Sequence, residues 1–520
     1  MLTGDMLRRS AARFPDRPAI VFRGPDRRTV VSYRELERDA NRLARALGRL
    51  RLPRGAKVSM LSRNLAEYGT VFFGVARSGC VLNNVSILYA PDELGWVLDK
   101  SDSEVLIFDA ALVDKVDAVR ASCPAIRRFV CIGADVPAWA QSFDALLQSE
   151  AHADESGAPP VPIDERDAFC MTYTGGTTGR PKGVLASHRA RAITAHTVMV
   201  EEAIDERDRV AIVTPLFHVA ALNIMFQPAT LAGATCVFVT PWSAERFVEA
   251  VEAEGVTATF MVPTQANALV SSPACDAARL ASWKKLSFAG APMPDWVQVE
   301  LMKKLPELKL TQIYGQSEIG VVAVLRHWYL PQKLGAVGRA PYNVDTEILR
   351  PDGTPAAVGE IGEVASRGDN LMIEYYDEPE QTAAFFRVGN GWGLTGDVGV
   401  KDADGFITLI DRAKDMLISG GENVYPKEIE DAIYTLEAVG ECAVFGIPDE
   451  RWGEVPAAYI ALRPGCTLTE AEVVARCEQK LARLKRPRLI RFVDDFPKTP
   501  IGKIQKNLLK EPYWQGRKRI

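Results

Sequence analysis

Thirteen consecutive residues, Thr172–Val184 (TYTGGTTGRPKGV), combine four glycines, four threonines, an arginine and a lysine. Glycine lets a backbone turn through positive φ and approach a ligand closely. Exposed amides in such a turn, with hydroxyls and a lysine beside them, suit an anion rich in oxygens, and phosphate is the chemistry they point to. The Walker A spacing GxxxxGK[ST] fails at every register here, so a phosphate loop in this chain is of another kind; an ordinary glycine-rich turn is its bland counterpart. Further on, Thr311–Gly320 (TQIYGQSEIG) sets an aromatic, a glycine, a hydroxyl and a carboxylate within five residues. Glu318 there is a candidate magnesium ligand, because Mg²⁺ takes one or two carboxylates beside phosphate oxygens. Taken alone, a solvated glutamate at a strand end is the simpler reading. Asp411–Glu430 (DRAKDMLISGGENVYPKEIE) mixes charges with a Gly420-Gly421 turn, and Pro497–Lys506 (PKTPIGKIQK) sets Lys503 behind a glycine on a proline-bounded loop. Each in isolation reads as a surface charge run or a surface lysine. Gly391–Gly396 (GWGLTG) is formally GxGxxG, but turn-like RVGN precedes it and strand-like DVGV follows. A dinucleotide fingerprint needs a strand before and a helix after, which excludes that reading.

The elements that must position these residues alternate in type through the first half. Ser32-Tyr33-Arg34-Glu35 is a capping box, opening an amphipathic helix with Leu36, Leu43 and Leu47 on one face and a stop at Gly48. Lys57–Ser62 reads as a buried strand; Asn64 then caps a second helix ending near Gly79. Val105–Phe108 and Phe129–Ile132 repeat the strand pattern, so helices layered on a sheet are expected. The glycine–threonine loop follows the strand-like AFCMTYT and precedes an apparently helical segment. Ala151–Asp167 is polar and proline-rich, a loop or internal boundary. Gly335–Val400 switches to short alternating runs with Asp352-Gly353 and Asp404-Gly405 turn signals, a small β-rich subdomain. The last hundred residues form an α+β unit: helix Pro426–Glu437, strands Glu441–Ile447 and Ala457–Leu462, helix Glu470–Leu484, strand Leu489–Val493.

Length and composition bound the function. A chain of 520 residues is too long for one small core, and a net charge of −5 disfavours a dedicated nucleic-acid binder. Nine cysteines are scattered without a CxxC pair and read as buried thiols of a reducing compartment; five histidines offer no zinc cluster. The arginine-rich N-terminus lacks a secretory apolar run, and Asp5 and Asp16 count against a mitochondrial presequence. Val210–Ala244 is the longest stretch free of charged residues, but Pro215, Pro228 and Pro241 interrupt it, so it reads as core and no transmembrane segment is expected. The cytoplasm is the expected location, with the mitochondrial matrix as the minor alternative.

Order gathers the separate motifs into one reading. Glycine–threonine loop, YGQSE, TGD, DRAKD with GGEN, and PKTPIGK succeed one another, and this succession resembles the adenylate-forming superfamily, most nearly its AMP-dependent acyl-CoA synthetases and ligases, over nearly the whole chain. The resemblance implies an α/β fold: a large N-terminal domain over 1–413, of layered α/β subdomains plus the small β-rich one, and a mobile α+β C-terminal domain over 414–520, hinged at Lys414. It implies ATP, Mg²⁺ and coenzyme A, a carboxylic acid activated to acyl-AMP with pyrophosphate release, and transfer to CoA. Thr174, Gly175, Gly176, Thr177, Thr178, Gly179 and Lys182 become the phosphate loop, with Gly175 where the family's TSGTTG has serine. Gly290, Ala291 and Pro292 flank adenine; Tyr314 and Gly315 stack on and border it, beside Ser317. Glu318 becomes the magnesium carboxylate. Asp397, helped by Arg412, grips the ribose. Lys503 bridges the carboxylate and α-phosphate oxygens during adenylation, then withdraws as the small domain rotates. Gly420 and Gly421 line the pantetheine tunnel, Trp452 contacts CoA, and Arg483–Arg491 meets its phosphates or is a solvated helix end.

By the same resemblance the acyl pocket draws on Pro215–Asn223, Ala289–Ala291 and Gly315–Val322, with His218 as a gate beside the carboxylate or a satisfied core histidine. Ala220, Ala221, Leu222, Gly320, Val321 and Val322 offer no cation for a second carboxylate, which disfavours malonate-like diacids and favours an apolar fatty or aromatic monocarboxylate. An acyl-AMP ligase loading a carrier protein shares every adenylation motif, and a non-catalytic nucleotide-binding relative stands further off.

Overall fold

The computed structural model describes residues 1–150, 161–174, 180–412, 415–420, 422–463, 465–498 and 504–515. The chain divides into two compact units. The first holds Met1–Leu334, Gly338–Asp345 and Arg367–Arg387; the second holds Gly335–Val337, Thr346–Ser366 and Val388–Ile520.

The first unit is built on two eight-stranded sheets. One runs, in spatial order, Gly320–Leu325, Lys309–Gln316, Lys285–Phe288, Ala258–Met261, Arg209–Ile212, Thr235–Val239, Pro18–Arg23 and Arg28–Ser32. Its inner pairings are parallel and only the two edge pairs are antiparallel. The other runs Glu374–Tyr375, Lys182–Ser187, Ala168–Thr174, Val81–Asn84, Lys57–Leu61, Ser103–Asp109, Arg128–Ile132 and Gln141–Ser142. Central strands such as Thr235–Val239 and Val81–Asn84 are buried throughout, as parallel strands covered on both faces must be. One apolar core joins Phe72, Phe73, Phe169, Phe226 and Phe238 with residues from both sheets.

Local signals hold where local chemistry decides. Ser32 and Glu35 form the capping box, and the helix Tyr33–Arg49 runs one residue past Gly48. Two expectations fail for non-local reasons. Asn64 caps no helix: Glu67–Ser78 begins after Ala66, and the Asn64 amide donates to the Thr214 carbonyl (2.8 Å) while its oxygen accepts from the Leu216 amide (2.7 Å). The segment after the glycine–threonine loop is a strand, Lys182–Ser187, paired antiparallel with Ala168–Thr174; the helix starts only at His188.

The second unit carries a four-stranded sheet ordered Asp345–Leu349, Gly362–Arg367, Gly393–Lys401 and Ile407–Arg412, and a five-stranded sheet of Glu422–Val424, Leu417–Ser419, Gly453–Leu462, Val439–Asp449 and Leu489–Phe492. Its helices are Pro426–Tyr434, Glu470–Lys480 and Lys506–Trp514, the first two shorter at their C-termini than the sequence pattern suggests. The four-stranded sheet is the β-rich region expected around Gly335–Val400. Strand Gly393–Lys401 starts inside GWGLTG, and no helix follows it, in line with the exclusion of a dinucleotide fingerprint. Among the described residues no helix is long and apolar enough to cross a membrane. All nine cysteines are free thiols, seven of them buried.

Candidate functional site

The glycine–threonine loop is the connection of a β-hairpin. Tyr173 pairs with Gly183 and Thr174 with Lys182, so Thr174 and Lys182 face each other at its mouth. Gly175, Gly176, Thr177, Thr178 and Gly179 lie outside the described residues. Their two shoulders are held by aromatic rings: the Arg180 guanidinium lies 5.3 Å from the Trp96 ring centre, and Trp96 meets Tyr173 edge to face at 6.2 Å. Tyr173 is buried, which pushes its hydroxyl pKa far up.

Three more groups are delivered by the carboxyl ends of parallel strands in the other sheet, the place where open α/β sheets take their ligands. Lys285–Phe288 leads into Gly290-Ala291-Pro292, with Gly290 at φ +91°. The adjacent Lys309–Gln316 carries Tyr314 and Gly315. Arg209–Ile212 leads to His218 and to a π-helix, Ala220–Phe226, a rare geometry found most often at functional sites.

Glu318 sits in the tight turn that joins Lys309–Gln316 to Gly320–Leu325, closed by the Ile319 amide donating to the Gln316 carbonyl (3.2 Å). A Cβ on Gly315 would lie 2.0 Å from the Gly320 carbonyl oxygen, so the closeness of the two backbones requires glycine. Ser317 is buried beside the half-buried Glu318. The Tyr375 hydroxyl donates to Glu318 Oε1 at 2.7 Å, and the Met372 amide donates to the Glu318 carbonyl at 2.6 Å. Lys182 Nζ lies 5.2 Å from the centre of the same Tyr375 ring. The fold therefore brings Lys182 and Glu318, 136 positions apart, to one tyrosine that the sequence motifs do not single out. A single carboxylate of this kind, with no cluster of three or more His, Cys, Asp or Glu among the described residues, fits Mg²⁺ completed by phosphate oxygens rather than an all-protein metal cage.

His218 Nδ1 accepts the Ala220 amide at 3.2 Å, and the surrounding desolvation pushes its pKa down to about 4, leaving a neutral ring at physiological pH. Ala221, Leu222, Val321 and Val322 are buried, the first three within the main core, and Ala220 packs against it. Gly320 (φ +81°) lies against Thr194, whose Oγ1 would be 2.6 Å from a Cβ there.

In the second unit, Asp397 is 5% exposed and pairs across the sheet with Arg412, Oδ1 to Nε at 3.1 Å. The preceding Thr395 ties this turn down: its hydroxyl donates to the Val364 carbonyl (2.8 Å) and accepts from the Asp397 amide (3.1 Å). Gly420, at φ +61°, donates its amide to the Trp452 carbonyl (2.8 Å), and a Cβ there would lie 2.7 Å from the indole. The turn and the tryptophan are thus brought together. In the basic run, Lys485 pairs with Glu428 and Arg486 with Glu478, and Arg491 lies over Tyr459. Lys414, Gly421 and Lys503 lie outside the described residues. The chain that flanks Lys503 closes through a Lys498–Ile504 bridge and the Gln505 amide donating to the Pro497 carbonyl (2.8 Å). A second group missed in sequence is the ion cluster of Lys506 with Glu430 (2.7 Å) and Lys510 with Asp415 (3.6 Å). The i, i+4 spacing of the two lysines on one helix is the signal that marks it.

The chain is similar to known proteins over nearly its whole length. The profile of the AMP-binding enzyme family matches residues 7–376, and that of the AMP-binding enzyme C-terminal domain matches residues 428–503. The chain is 33% identical over 486 residues to a feruloyl-CoA synthase of Amycolatopsis sp, covering 93% of this chain and 94% of the relative. It is 34% identical over 513 residues to the long-chain-fatty-acid–CoA ligase FadD13 of Mycobacterium tuberculosis, covering 98% of each. Among solved structures, ATP-bound MatB from Rhodopseudomonas palustris superposes with a TM-score of 0.87 at 27% identity, covering 99% of each chain.

Proposed function

The chain belongs to the AMP-binding enzyme family as an AMP-forming acyl-CoA synthetase, and from that premise we propose that it activates a carboxylic acid with an apolar body, fatty or aromatic, through the residues assembled above. It is an acid–CoA ligase using ATP, CoA and Mg²⁺. The observation that carries the site assignment is the convergence of Lys182 and Glu318 on Tyr375.

In the first half-reaction a carboxylate oxygen attacks the α-phosphorus of ATP and pyrophosphate leaves. Two anions must approach, so cations and preorganised dipoles aimed at the developing charge supply most of the acceleration. We assign the β- and γ-phosphates to Thr174 through Lys182, adenine to Gly290–Pro292 and Tyr314-Gly315 with Ser317 beside them, and the ribose hydroxyls to Asp397. The ion pair with Arg412 supports that last role, since it fixes the direction of the Asp397 carboxylate. Glu318 would hold Mg²⁺, which neutralises phosphate charge when bound. Lys503 is assigned to the attacking carboxylate and the α-phosphate, and the neutral ring of His218 to the gate of the acyl pocket.

In the second half-reaction the CoA thiol attacks the acyl-adenylate and AMP leaves, so no protein cysteine is called on; buried thiols with raised pKa values, such as Cys170 and Cys236, are consistent with that. We assign the pantetheine path to Gly420 and Gly421, with Trp452 beside Gly420, and the division of labour to a domain boundary at Lys414. The small aliphatic character of Ala220–Leu222 and Gly320–Val322 supports an apolar acid.

The test is pyrophosphate release with ATP and Mg²⁺ across fatty, aromatic and dicarboxylic acids, with and without CoA, products identified by mass. Turnover to acyl-CoA with a fatty or aromatic acid is expected. Acyl-AMP that accumulates whether or not CoA is present would replace CoA with a carrier protein as acceptor. Turnover confined to dicarboxylic acids would overturn the apolar assignment.

A further inference from the structure

Residues Arg367–Arg387 belong to the first unit although the chain on either side belongs to the second. This excursion is tied down at two places. At one, the Asn370 side-chain amide donates to the Ile319 carbonyl (2.7 Å) and the Met372 amide to the Glu318 carbonyl (2.6 Å), gripping the turn that bears Glu318. At the other, the Ile373 amide donates to the Leu185 carbonyl and the Tyr376 amide to the Gly183 carbonyl, each at 2.7 Å, gripping the hairpin strand that begins with Lys182. Tyr375 stands within the second grip, between Ile373 and Tyr376 and opposite Val184. Its hydroxyl reaches Glu318 Oε1 at 2.7 Å, its ring faces Lys182 at 5.2 Å, and its amide donates to Thr382 Oγ1 at 3.0 Å.

A carboxylate and an ammonium placed in one cleft are drawn to each other, and a Lys–Glu pair formed there would take both groups away from a nucleotide. Among the described residues no ion pair joins Lys182 to Glu318; the side-chain contacts of each are with Tyr375. Tyr375 instead occupies both: the phenolic O–H satisfies one carboxylate oxygen, and the electron-rich ring face meets the cation. We propose that Tyr375 is a positioning residue that keeps Glu318 and Lys182 apart and aimed, so that metal binding at the carboxylate and phosphate binding at the lysine reinforce each other. The inference rests on the assignment of Glu318 to magnesium made above.

The phenol does two things for such a site. Donating to Oε1, it holds the carboxylate plane and leaves Oε2 as the oxygen presented to a hard cation. Carried on a segment whose Met372, Ile373 and Tyr376 amides bond to both motifs, it also makes a displacement of one felt by the other. Replacing Tyr375 by Phe removes the first role and retains the ring, while Thr382→Val loosens the backbone support of the excursion without touching either charged group.

The experiment is calorimetric binding of α,β-methylene-ATP to the full chain, with Mg²⁺ and with EDTA, which reads the metal-dependent gain in nucleotide affinity apart from turnover. Tyr375→Phe is expected to cut that gain about 10-fold, the size of one hydrogen bond to a charged group, with affinity in EDTA held within about twofold. Thr382→Val is expected to lower thermal stability and leave the gain intact. A Tyr375→Phe protein that keeps the wild-type gain, or that loses affinity equally with and without Mg²⁺, overturns the proposal. Glu318→Gln separates the two levels of the argument. If it abolishes the gain while Tyr375→Phe preserves it, the positioning role alone fails; if it preserves the gain, the magnesium assignment of Glu318 fails and the proposal with it.

Discussion

Gly315→Ala adds one methyl group and should disable adenylation. The new Cβ would lie 2.0 Å from the Gly320 carbonyl oxygen, 3.1 Å from its carbon and 3.4 Å from the Val321 Cα, all backbone atoms. Real Cβ contacts essentially never fall below 3.0 Å, so one side must retreat by about 1 Å. Retreat on the Gly320 side is resisted because Gly320 is held at φ +81° against Thr194. The turn between the two glycines carries Ser317 and Glu318, and it is pinned from outside by Met372 and Tyr375. A displacement near 1 Å in a positioned catalytic group costs on the order of 10²-fold in rate. Pyrophosphate release with saturating acid should therefore fall about 100-fold, accompanied by a loss of about 1–3 kcal/mol in unfolding free energy from overpacking. The assays are continuous pyrophosphate detection and urea unfolding of the same preparation. A variant that releases pyrophosphate within twofold of wild type would show that the turn relaxes without moving Glu318, and would refute the claim that this close approach holds the carboxylate in register.

Glu202, buried at the end of the helix His188–Glu201, has its pKa raised from 4.5 to about 7, chiefly by desolvation and in part by the neighbouring Glu201. Because the folded state holds this proton more tightly than the unfolded one, stability is full below about pH 4.5 and falls as pH rises through about 7, by roughly 3 kcal/mol in all. Glu202→Gln should abolish that slope in urea melts between pH 5 and 8, and an unchanged slope would assign it to another group. Gly420→Leu strains a residue at φ +61° and drives a side chain into the Trp452 indole; CoA-dependent thioester formation should drop more than about 10-fold while pyrophosphate release persists. Equal loss of both half-reactions would count against a pantetheine path at this turn. Lys503→Ala should slow adenylation by roughly 10²–10³-fold and spare thioester formation from supplied acyl-AMP, measured as two separate half-reactions; loss of both would sink a role confined to the first.

What was legible beforehand was chemistry written in short order along the chain. The Ser32–Glu35 capping box, the buried strand at Lys57 and the strand AFCMTYT at Ala168–Thr174 follow from contacts within a few residues, and each appears where its pattern lies. The motifs from the glycine–threonine loop to PKTPIGK identify a family because their order and residue types survive without reference to a fold. Elements whose state depends on distant partners were misread. Lys182–Ser187 is buried at every residue after the first, so it shows no alternation that distinguishes strand from helix; its pairing with Ala168–Thr174 and Glu374–Tyr375 decides the matter. Asn64 looks like a helix cap by position, yet its amide is claimed by backbone groups of Thr214 and Leu216 about 150 residues away.

The sequence by itself determined the reaction class, because that depends on which functional groups are present and in what order. Only the tertiary structure decided how the groups are aimed. Tyr375 lies in an unremarked IEYYD stretch, and nothing local says that its hydroxyl meets Glu318 or that its ring meets Lys182. Those contacts exist because one excursion of chain donates backbone hydrogen bonds to two separate motifs at once. A backbone N–H that must be satisfied inside a fold can choose any carbonyl the topology offers, and that choice is made in three dimensions.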